Sequence, residues 1–148
     1  MATYFVIPSG NDGSPGTEAA PWATIKKATD TLVSGDVCRI KPGTYVQPAG
    51  VPGVRFGVPW LNPVNSGTAA TPITFEAFDP SDKPIVDNNN NFGETPLGCR
   101  ERNYIIWDGI KIRFAGGAST DFSNAFGETE NTAVNIRGAS AAVRAVGC

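Results

Sequence analysis

The sequence predicts an all-β solenoid, and three observations predict it. Short stretches alternating apolar and polar residues recur along the chain, at 37–45, 72–77, 104–112 and 133–138. Each is bounded by Gly, Pro, Asn or Asp, and each restarts about one coil later. The composition agrees: 17 Gly, 12 Pro and 41% apolar residues describe a turn-rich globular chain of many short strands rather than a disordered one. Its 148 residues fit a single domain with a core of its own.

The elements follow in order. Residues 3–8 read as an entry strand, and 9–17 as a loop made almost wholly of turn formers. A short amphipathic helix comes next, with Pro21 suited to its first position and Trp22, Ile25, Ala28 and Leu32 on one face. Ser34, Gly35 and Asp36 end it. In the strands, alternation places Cys38, Ile40, Ile73, Phe75, Ile105, Trp107, Ile110, Ile112, Val134 and Ile136 inward. It places Arg39, Thr74, Glu76, Ile106, Lys111, Arg113, Asn135 and Arg137 outward. Two long insertions, 46–71 and 87–103, separate the coils, and loops of that length ordinarily carry a role or some structure of their own.

Charge and residue types exclude several functions. A formal net charge of -2 offers no basic stripe for a phosphate backbone, so nucleic acid is not an expected partner. Nothing approaches the roughly 20 apolar residues of a membrane span, and the first residues carry no basic, apolar leader. The chain contains no His, which removes His-based triads, general bases and metal ligands. Three cysteines, Cys38, Cys99 and Cys148, cannot all pair within one chain, and a disulfide framework is not expected.

Three groups of residues remain as candidates. Lys111 and Arg113 leave one strand outward, and Arg137 leaves the next coil beside them at the inter-strand step of about 4.8 Å. Such a basic ladder can grip the carboxylates of a uronate polymer, although charges on an outer face are ordinarily just solvated. Trp60, between Pro59 and Pro63, is either a sugar platform or a ring packed over the coil; Phe56 and Tyr45 are weaker platforms. Asp87 with Asn88 to Asn91 supplies oxygen ligands of the calcium type without any calcium-loop spacing, and a polar turn explains the run as well. No cofactor or metal is expected. Glu94, Glu101, Glu128 and Glu130 fall in loops, where a two-carboxylate pair is not locatable.

Several fragments taken together resemble a known family. They are Tyr4-Phe5-Val6-Ile7-Pro8-Ser9-Gly10-Asn11-Asp12, Pro15-Gly16-Thr17, Pro21-Trp22-Ala23-Thr24-Ile25, Ser34-Gly35-Asp36, Lys41-Pro42-Gly43-Thr44-Tyr45, Pro72-Ile73-Thr74-Phe75-Glu76-Ala77 and Trp107-Asp108-Gly109-Ile110-Lys111-Ile112. In this order they look like the N-terminal region of right-handed parallel β-helix proteins of the pectate-lyase type. The resemblance implies an all-β right-handed parallel β-helix with a short N-terminal capping helix. Residues 1–148 would then be the cap and about three to four coils of a longer solenoid.

It also implies an extracellular, cell-surface or virion-surface protein whose partner is a polysaccharide, acidic by the charges above. Any lyase or hydrolase site would lie on coils beyond this chain, so no catalytic residue carries over. The alternative expectation is a structural module of the tailspike or fibre kind, self-associating through an open C-terminal coil.

Overall fold

In a computed structural model, residues 1–48, 60–87, 89, 97–99, 101–113 and 143–146 are described. They are mostly β, with one parallel sheet and a single short helix. In chain order the elements are β1 (Thr3–Val6), α1 (Ile25–Thr31), β2 (Val37–Ile40), β3 (Thr44–Val46), β4 (Ile73–Ala77), β5 (Ile85–Asp87), β6 (Ile105–Arg113) and β7 (Val143–Val146). The strand order is β1-β2-β4-β6-β5-β3, with β7 added on β6.

Two parallel ladders make up that sheet. In the first, Tyr4 pairs with Cys38, Cys38 with Phe75, and Phe75 with Trp107. In the second, Tyr45 pairs with Val86, and Val86 with Ile112. β6 belongs to both, pairing β4 through Ile105–Asp108 and β5 through Lys111–Arg113. The chain turns between them at Gly109, whose φ is +73°. That angle is costly for an L side chain, and a Cβ there would stand 2.8 Å from the Ala77 Cβ.

Alternation along the strands becomes two faces. Cys38, Ile40, Ile73, Phe75, Ile105, Trp107, Ile110 and Ile112 are all buried, as their spacing predicts. In-register pairing stacks them: the Phe75 and Trp107 rings lie 4.2 Å apart at 17°, and the Trp107 indole N–H donates to the Gly98 carbonyl at 3.2 Å. Val134 and Ile136, and the strand expected at 133–138, lie outside the described residues.

The first end of the stack is closed by a polar and aromatic cap. The Phe5 N–H donates to the Gly16 carbonyl (2.8 Å) and the Ile7 N–H to that of Trp22 (2.9 Å), which covers the free edge of β1. Trp22 stacks on Tyr4 with centroids 4.6 Å apart. Asp12 then ties the loop to the helix: its carboxylate accepts from the N–H of Ala23 (2.8 Å) and Thr24 (2.9 Å) and from the Thr24 hydroxyl (2.7 Å). Beyond the helix, the buried Asp36 accepts from the N–H of Ala2 (2.7 Å) and Val33 (3.1 Å).

Four details differ from the sequence reading. The helix starts at Ile25, not Pro21, because Thr24 caps it by accepting from the Lys27 N–H and because Trp22 is held in a parallel bridge to Val6. Ile25, Ala28 and Leu32 do form its buried face. Strand β5 has no signature in the sequence, since three residues are too few to show a period. β7, a strand the sequence reading did not name, joins β6 over its first half and runs antiparallel to it from Ile106 to Ile110. Lastly, Cys99 is disulfide-bonded, while Cys38 is a buried free thiol.

Two measurements check this packing. Truncating Trp107 to Ala should cost about 3–5 kcal/mol in a denaturant titration, as loss of a fully buried aromatic does. Burial, aided by nearby Glu76, pushes the Cys38 thiol well above its ordinary range; Cys38 should therefore resist iodoacetamide in the native protein and react once it is unfolded.

Candidate functional site

Register decides which side chains meet on the outside as strictly as it decides the core. On the second ladder the outward rows are Thr44–Ile85–Lys111 and Val46–Asp87–Arg113. Lys111 and Arg113 therefore share one face, with the buried Ile112 between them. The Arg113 guanidinium lies 3.3 Å from the Asp87 carboxylate, with the two side chains 40% and 20% exposed. Arg113 thus reaches solvent already facing an anion. Lys111 has no carboxylate within ion-pair distance among the described residues.

The other candidates named from the sequence separate by burial. Arg137 and Phe56 lie outside the described residues. Trp60 is partly buried and packs against the core. Tyr45 is buried, its hydroxyl donating to the carbonyls of Lys41 (2.8 Å) and Val6 (3.1 Å), so it ties the two ladders together from inside.

Asp87 accepts from the Asn89 N–H at 2.9 Å, and Asn89 has a φ of +49°. This is the polar turn that tolerates left-handed angles. Among the described residues no cluster of three or more His, Cys, Asp or Glu could hold a metal ion. No helix among them is long and apolar enough to cross a membrane.

The first ladder carries an outward surface that residue spacing did not single out. One row runs Phe5–Arg39–Glu76–Asp108. The next row continues it by backbone bonds, Lys41 N–H to the Val6 carbonyl (2.9 Å) and Phe78 N–H to the Ile40 carbonyl (2.8 Å). Lys41 and Phe78 therefore stand beside Arg39 and Glu76.

Within this surface the Arg39 Nε donates to Glu76 at 2.9 Å. The Lys41 ammonium lies 5.1 Å from the Phe78 ring centre and 5.8 Å from that of Phe5. The two rings meet edge to face at 6.2 Å. Glu18 approaches Lys41 at 3.9 Å. Outward alternation of Arg39 and Glu76 was legible in the sequence, but their meeting with Phe5 and Phe78 depends on the register.

No protein-family model matches the chain, and no curated protein matches it. Among solved structures it is similar to a rhamnogalacturonan lyase, at 34% identity over 64% of this chain, with a TM-score of 0.49. It is also similar to XylC, solved in complex with xylose, at 26% identity over 57% of this chain, with a TM-score of 0.47. The chain spans 24% of the length of the first and 11% of the second.

The Arg39–Glu76 pair is half-exposed, at 50% and 33% of the two side chains. Glu76→Gln should therefore change stability by no more than about 1 kcal/mol in thermal unfolding, because solvent screens such pairs.

Proposed function

We propose that this chain is the N-terminal part of an extracellular right-handed parallel β-helix protein that binds an acidic polysaccharide along its outer face. The observation that supports the reading is that Lys111 and Arg113, two residues apart on β6, point outward on the same face of the second ladder. Parallel strands repeat at about 4.8 Å, so a polymer laid across the strands meets side chains at regular intervals. Arg grips a carboxylate in two-point fashion, and Lys adds a point charge.

Asp87 sets the strength of that grip. Its carboxylate competes with a uronate for Arg113, so binding has to displace a half-exposed ion pair worth about 0–1 kcal/mol. Recognition is as far as the chemistry of these residues goes. A lyase or hydrolase step would need groups on coils beyond this chain. Placement outside the cytosol is supported by the Cys99 disulfide, since such bonds persist in oxidising compartments.

The test is binding to oligogalacturonate by calorimetry at low salt. Arg113→Ala should weaken binding about tenfold, by loss of a charged contact worth about 1.4 kcal/mol. Asp87→Asn should strengthen it by freeing the guanidinium. Equal affinities for the parent and both variants would reduce the ladder to solvated surface.

A further inference from the structure

We infer that the outward face of the first ladder is a second carbohydrate subsite, one that takes a neutral sugar. The inference rests on the polysaccharide reading above but concerns a different face and a different ligand chemistry. Its floor is Phe78, 39% exposed, set edge to face against Phe5. Phe78 thus keeps apolar surface open to solvent beside the partly buried Phe5, with the Lys41 ammonium 5.1 and 5.8 Å from the two ring centres. The open part of Phe78 offers an electron-rich ring surface of the kind that a pyranose covers with its C–H groups.

Polar groups beside the rings are fixed before any ligand arrives. Glu76 is held by Arg39 at 2.9 Å, and the Lys41 ammonium lies over both rings, its side chain only 22% exposed. Groups ordered in this way lose little freedom when they bond to hydroxyls.

Charge selects the ligand class. Arg39 and Lys41 are already faced by Glu76 and Glu18, and Asp108, exposed in the same row, faces no cation among the described residues. Two cations against three carboxylates leave the surface net negative. It therefore repels a uronate and suits a neutral ring, whose hydroxyls can donate to Glu76 and Asp108. The two ladders would then read different residues of a mixed polymer, acidic on one and neutral on the other.

The test titrates cellohexaose and xylohexaose, with oligogalacturonate in parallel, into the parent and into Phe78→Ala, Glu76→Gln and Arg113→Ala, following affinity and the aromatic NMR shifts of Phe5 and Phe78. The expected result is binding of a neutral oligosaccharide that shifts both rings. Phe78→Ala should weaken it about tenfold or more and Glu76→Gln should weaken it measurably, while Arg113→Ala leaves it unchanged. Oligogalacturonate affinity should be indifferent to Phe78→Ala, which also shows that the variant is folded. Neutral binding that ignores Phe78→Ala, or a parent that binds oligogalacturonate alone, overturns this subsite and leaves the acidic reading standing. A parent that binds neither ligand overturns both.

Discussion

The in-register parallel pairing of the strands is the constraint on which the rest depends. Because each residue sits directly over its counterpart one rung away, the row Tyr4–Cys38–Phe75–Trp107 becomes a continuous spine, buried from Cys38 to Trp107 and half-buried at Tyr4. The same rule, read on the opposite face, lines up Phe5, Arg39, Glu76 and Asp108. A slip of one residue in any strand would exchange the two sets. Core and surface chemistry are therefore a single decision taken twice, once for each side of the pleat.

Corners and caps hold that register in place. Gly109 lets β6 leave one ladder and enter the other, and Tyr45 bonds across to Val6 and Lys41 from the inside. At the N-terminal end the work is done by carboxylates rather than by bulk: Asp12 organises the helix start, and Asp36 ties the helix exit to Ala2. Loop 9–17 is thus a structural part of the end of the stack, although its residue types announce only a turn.

Much of this was legible in the sequence. Alternation placed Cys38, Ile40, Ile73, Phe75, Ile105 and Trp107 inside, since period two is unambiguous over four or more residues, and Ile110 and Ile112 follow once the phase shifts at Gly109. It failed where one local signal served two structures. Trp22 lies at helical spacing from Ile25, yet it is buried as a strand partner of Val6, and Pro21 accordingly lies outside the helix. β5 was too short to show a period. The site was harder still: Asp87 meets Arg113 across 26 residues, and Phe5, Lys41 and Phe78 converge from three segments. Spacing within a strand reveals facing, but it says nothing about which rung lies over which.

The bridge from Val6 to Trp22, part of the cap, also bears on how the chain finds its shape. Those partners are 16 positions apart, whereas Thr3 and Val37 are 34 apart. By the logarithmic dependence of loop closure on length, the shorter loop costs about 0.7 kcal/mol less to close. Every rung of the first ladder demands a long excursion of the chain, a topology associated with slow assembly and with edges left bare in the meantime. The cap is the least expensive of these closures, and the edge strand it covers is shielded by a segment only 16 positions away.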